Sequence, residues 1–66
     1  MEVFINRRSV ETEESTTLAE LLAREGLPRE GIAVAVNNKV VPRSEWPTAS
    51  LQEGAKITVI RAVCGG

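Results

Sequence analysis

Three residues at the end of the chain, Cys64-Gly65-Gly66, hold the groups best placed to do chemistry. Gly66 offers a main-chain carboxylate with no side chain beside it. Glycine lacks a β-carbon and adopts almost any backbone angle, so Gly65 and Gly66 could pass through a channel too narrow for other residues. The reactive group would then be the backbone end itself. A frayed terminus, as many domains have, is the plain alternative. Cys64 sets a thiol two residues from that carbonyl, where it could capture an acyl group or form a mixed disulfide. A free cysteine at a strand end also behaves as a small apolar residue, in which case Cys64→Ser changes nothing.

The other side chains argue against catalysis by the chain alone. Its 66 residues include no His, no Asp and no Tyr. Without His the usual general base near neutral pH is missing, and no Ser-His or Cys-His pair can activate a nucleophile. One Cys without His cannot assemble an ordinary zinc site, so neither a catalytic residue nor a metal site is expected. Glu11, Glu13 and Glu14 lie in a polar stretch where solvation is the simpler fate. The chain reads as a substrate for other enzymes.

Composition closes further classes. A net charge of −1, with Lys and Arg scattered along the chain, leaves no electrostatic footprint for nucleic acid. One Trp and one Phe make no stacking platform for single strands. No apolar run approaches the roughly eighteen residues that span a bilayer, and no signal-like segment opens the chain; both point to the cytoplasm. A lone Cys excludes an internal disulfide. So short a chain forms one domain with one small core. Residues 1–63 are expected to be that domain, monomeric when alone, and 64–66 a flexible C-terminal tail.

The elements that would carry the tail can be placed. Residues 1–6 form a β-rich run with Met1, Val3 and Ile5 on one face and Phe4 on the other. Asn6-Arg7-Arg8 suits a hairpin turn, and 9–12 return as a short strand with Val10 inward. Thr17-Leu18-Ala19-Glu20 has the capping-box form, and Leu18, Leu21 and Leu22 follow on one face. Gly26 and Pro28 end that helix, which is expected over about 17–25. Residues 31–37 read as the central strand, with Ile32, Val34 and Val36 toward the helix. Ala33 and Ala35 face the other way and would either let another backbone approach closely or sit packed under a loop. Asn37-Asn38 suits a tight turn into a brief strand over 39–41, which Pro42 ends. Residues 43–50 look irregular, with Trp46 plugging the core. Gly54 fits a positive-φ turn before the last strand, 56–61.

This order places the last strand beside the first, in parallel, with a helical crossover between them. The expected fold is α+β: a β-grasp, or ubiquitin-like, mixed sheet of four to five strands with one main helix on one face. The other face stays open and displays Phe4 and Ile60, which as neighbours would make a partner-docking surface with Ala33 and Ala35. The expected core is Val3, Ile5, Val10, Leu18, Leu21, Leu22, Ile32, Val34, Val36, Leu51, Ile57 and Val59.

The segment Asn37-Asn38-Lys39-Val40-Val41-Pro42-Arg43-Ser44-Glu45-Trp46, then Leu51-Gln52-Glu53-Gly54, Ile57-Thr58-Val59 and Gly65-Gly66, resembles the sulfur carriers of thiamine biosynthesis, the ThiS family. The likeness covers essentially the whole chain. Gly-Gly is common to many ubiquitin-like proteins, whereas Val-Val-Pro-Arg-x-x-Trp is the more specific part. Two positions depart from the family pattern. Gly54-Ala55 stands where Gly-Asp is usual, a difference expected to stay within the turn, and Cys64 stands where the family varies.

The resemblance implies a mechanism. A ThiF-type adenylyltransferase joins the Gly66 carboxylate to AMP, using ATP and Mg²⁺ that belong to that partner; this chain binds no cofactor itself. A cysteine desulfurase system delivers persulfide sulfur, and the resulting thiocarboxylate donates it through a thiazole synthase. Gly65 and Cys64 would thread the partner active sites. Two other fates share the tail: sulfur carriage for molybdopterin or tRNA thiolation, and ubiquitin-like modification of lysines through Gly66.

Overall fold

The computed structural model describes residues 1–28 and 30–61. Within them the order is β1 (Glu2–Ile5), β2 (Arg8–Glu11), α1 (Leu18–Arg24), β3 (Ile32–Val36), β4 (Lys39–Val40), a 3-10 segment (Arg43–Thr48) and β5 (Lys56–Arg61). The strands form one sheet in the order β2-β1-β5-β3-β4. β1 and β5 run parallel, and the remaining pairs are antiparallel. One helix over a mixed sheet of five strands is the β-grasp arrangement expected from the element order. The middle position belongs to β5, however, and not to residues 31–37. Alternation in β3 signals a half-buried strand but cannot rank it within the sheet.

The helix forms where its caps dictate. The Glu20 amide donates to the Thr17 hydroxyl at 3.3 Å, and the Thr17 amide donates to the Glu20 carboxylate at 2.9 Å. Two helix-end donors are thereby satisfied reciprocally. At the other end Gly26 takes φ 73°, and the amides of Gly26 and Leu27 donate to the carbonyls of Ala23 and Leu22 at 3.1 and 3.0 Å. This Schellman closure needs a residue that accepts positive φ, which Gly26 supplies. Seven residues are too few for an isolated helix in water. Burial of Leu18, Leu21 and Leu22 against the sheet supplies the rest.

Those leucines meet Val3, Ile5, Val34 and Ile57 from the strands, with Leu51 and Trp46 at the margin. Trp46 is buried, and its indole N–H donates to the Val41 carbonyl at 2.9 Å, so the expected plug is in place. Four expected core residues, Val10, Ile32, Val36 and Val59, are only partly buried and pack against the cluster. Ala55 joins the core at 3% exposure, so the departure from Gly-Asp reaches beyond its turn into the packing. Thr12 and Thr16 are buried too, in a stretch whose polarity predicted solvent. The Thr12 hydroxyl donates to the Glu13 carbonyl at 3.2 Å, which removes the cost of burying it.

The crossing expected to be irregular contains the 3-10 segment, which follows Pro42 with φ already fixed at −59°. It delivers Trp46 to the core, and Ala49 beyond it accepts the Leu18 amide at 2.9 Å. The first hairpin loop has two residues, Asn6 and Arg7, so β2 begins at Arg8 rather than Ser9. No helix among the described residues is long and apolar enough to cross a membrane.

Candidate functional site

β5 is the strand that leads to the tail, and the sheet holds it from both sides. Along its β3 side the ladder runs from Val36↔Ile57 to Ile32↔Arg61. Along its β1 side only Phe4↔Lys56 and Ile5↔Ile57 pair as strands, because β1 has four residues and β5 has six. Asn6 supplies what β1 lacks. Its amide donates to the Ile57 carbonyl at 2.9 Å. Its side-chain Oδ1 accepts the Val59 amide at 2.9 Å, and its Nδ2 donates to the Val59 carbonyl at 3.3 Å. A side chain therefore makes the last rung on that side. Asn37 does a similar task at the start of β5, where its amide donates to the Lys56 carbonyl at 2.8 Å and its Oδ1 accepts the Lys56 amide at 3.0 Å. Both asparagines sit in tight turns at positive φ, 49° and 52°.

The sheet face away from the helix is uncovered. Register places Phe4, Lys56, Thr58, Ile60, Ala33, Ala35 and Val40 on it. Ala33 is exposed, which excludes packing under a loop, and Ala35 is half-buried. Ile60 is 56% exposed and lies opposite Ala33, so an apolar step reaches the next-to-last residue of β5. Phe4 shares this face but is not beside Ile60. It pairs with Lys56, four residues earlier on β5 and about 13 Å away along the strand. The expected Phe4–Ile60 patch is thus two separate apolar features with Thr58 and Lys56 between them.

A groove of about 610 Å³ opens near Phe4, lined also by Asn6, Arg7, Asn38, Lys56 and Thr58. Arg7 borders it with a backbone φ of 72° at the second position of the two-residue hairpin loop. Glycine or asparagine is the ordinary occupant of such a position. A β-carbon held there costs roughly 1 kcal/mol or more. The sequence pattern missed both Asn6 and Arg7 as site candidates. The usable signal was the length mismatch between the first and last strands, which leaves the longer one in need of a partner.

The site proposed from composition, the carboxylate of Gly66 with Gly65 and Cys64 leading to it, lies outside the described residues, as does the boundary of the domain at residue 63. Among the described residues, no three His, Cys, Asp or Glu side chains are grouped to hold a metal ion.

Arrangement and register define this as a β-grasp protein. A crystal structure of the thiamine biosynthesis protein ThiS from Geobacter metallireducens matches it with TM-score 0.86 at 22% identity, covering 100% of both chains. An NMR structure of a thiamine biosynthesis protein from the same organism gives TM-score 0.75 at 23% identity, covering 100% of this chain and 87% of that one. The chain belongs to the ThiS family, whose model matches residues 2–66. It is 29% identical over 66 residues to the sulfur carrier protein ThiS of Escherichia coli (strain K12), covering 100% of both.

Proposed function

We propose that this chain is a sulfur carrier of thiamine biosynthesis and that its working group is the Gly66 carboxylate. The supporting observation is the family match running through Gly66, joined by a full-length relative that bears the name of sulfur carrier. The chemistry follows from the unreactivity of a carboxylate, whose negative charge repels nucleophiles and whose oxygen leaves poorly. A ThiF-type adenylyltransferase, with ATP and Mg²⁺, converts that oxygen into part of an AMP leaving group. The outer sulfur of a persulfide from a cysteine desulfurase system attacks the acyl carbon and displaces AMP. A protein thiol then cleaves the resulting acyl disulfide, being oxidised to a disulfide as the thiocarboxylate is released for a thiazole synthase. The chain itself is the carried substrate and not the catalyst.

Within this proposal the open sheet face is where partners dock. Ala33 and Ala35 let a partner approach the sheet closely, Ile60 gives an apolar contact just before the tail, and Phe4 gives another farther along β5. Gly65 and Cys64 lead the carboxylate into the partner's catalytic centre.

Intact mass after incubation with the activating enzyme, ATP, Mg²⁺ and a sulfide source tests the proposal. The expected product exchanges one oxygen for one sulfur at the C-terminus. Recovery of unchanged chain, or of lysine adducts bearing a Gly-Gly remnant, would overturn it.

A further inference from the structure

The groove beside Phe4 carries two cations, Arg7 and Lys56, and no carboxylate among the described residues lines it. Neither cation has an ion-pair partner among the described residues, unlike nearby Arg8, which pairs with Glu25. The carboxylates of the same face lie elsewhere, with Glu2 opposite Glu11 across β1 and β2. Charge on the open face is therefore divided, cationic over β5 and anionic toward the far edge. Arg7 is also the costly choice for its position, since its φ of 72° suits a residue without a β-carbon. The fold bears a strained turn there and, among the described residues, gains no ion pair from the side chain. Strain kept without local return points to use by something outside the chain.

We propose that this groove receives an acidic segment of the activating enzyme, whose Asp or Glu side chains meet Arg7 and Lys56 while an apolar neighbour packs on Phe4. The proposal rests on the carrier function above. Position supports it as well as charge. Lys56 lies about 17 Å along β5 from Arg61, so an enzyme gripping the residues beyond Arg61 and lying along the open face covers both. Contacts of this kind guide encounter and register more than they drive the chemical step. Their loss is expected in KM and in salt dependence, with kcat unmoved.

The test compares the full chain with Arg7→Gly, Arg7→Lys and Lys56→Glu, following sulfur loading by the activating enzyme at low and high salt alongside thermal melts. Arg7→Gly relieves the turn and removes the cation, so the melting temperature rises by a few degrees while KM rises about five-fold at low salt. High salt narrows that gap, because it screens the wild-type contact and leaves the variant little to lose. Arg7→Lys keeps both cation and β-carbon, restoring KM without the gain in melting temperature. Lys56→Glu raises KM further. Opposite movements of stability and KM in one variant are beyond a merely structural role. Loading of Arg7→Gly with wild-type KM and wild-type salt dependence would sink the groove and leave the carrier function standing. Failure of the wild-type chain to load at all removes the carrier function, and this contact with it.

Discussion

Asn6 lends itself to a quantitative test of how the tail-bearing strand is held. Asn6→Gly deletes the two side-chain bonds to Val59 and keeps a residue content at φ 49°. A net hydrogen bond contributes about 0.5–1.5 kcal/mol, and Asn6 is exposed, so the pair is worth about 1–2 kcal/mol, in the lower half of the possible range. That difference corresponds to a factor of about 5–30 in an opening equilibrium. Amide hydrogen exchange followed residue by residue by NMR is the assay. Val59 should lose protection by about that factor, while Val34 and Ile57 should follow the change in global stability, read separately from denaturant unfolding. Asn6→Asp retains an acceptor for the Val59 amide and tolerates positive φ, so it should recover most of the protection. Unchanged exchange at Val59 in Asn6→Gly would refute the idea that a side chain completes the ladder.

Three further outcomes follow from the packing and the tail. Leu22→Ala removes a buried leucine from the helix–sheet contact and should cost about 2–5 kcal/mol in denaturant unfolding; a midpoint that does not move would mean the helix face is misassigned. Thr17→Ala breaks the reciprocal cap and should cost about 1 kcal/mol, whereas Thr17→Ser should restore most of it. Deleting Gly65 and Gly66 should abolish sulfur loading in the mass assay with the melt nearly in place, since the buried core among the described residues lies between Val3 and Ile57; a large fall in melting temperature would give the tail a structural role.

Legibility differed by the range of the interaction involved. The helix was readable to within a residue at each end because its signals, Thr17, Glu20, Gly26 and the leucine spacing, all act over a few positions. The last strand, Lys56–Arg61, and the parallel partnership of first and last strands followed from element order. Register is not readable from alternation, which puts Phe4 and Ile60 on one face without saying that the backbone ladder sets Phe4 beside Lys56. Burial of Ala55 and Thr12 was hidden for a related reason: small or polar residues enter a core when neighbouring turns fold over them, and no periodicity announces it. Asn6 looked like an ordinary turn residue, because its partner Val59 is fifty-three positions away.

The placement of β5 has a mechanical consequence. Tension applied through the residues beyond Arg61 runs down a strand flanked on both sides, by β1 in the same direction and β3 in the opposite one. Inter-strand bonds lie crosswise to such a pull, so they share the load together instead of parting one after another. An edge strand of two residues, like β4, would peel away like a zipper. In the proposed carrier role, where enzymes take hold of the chain by its end, such a scaffold can thus be tugged free with its shape intact. Under that demand, rupture force measures its fitness better than heat does.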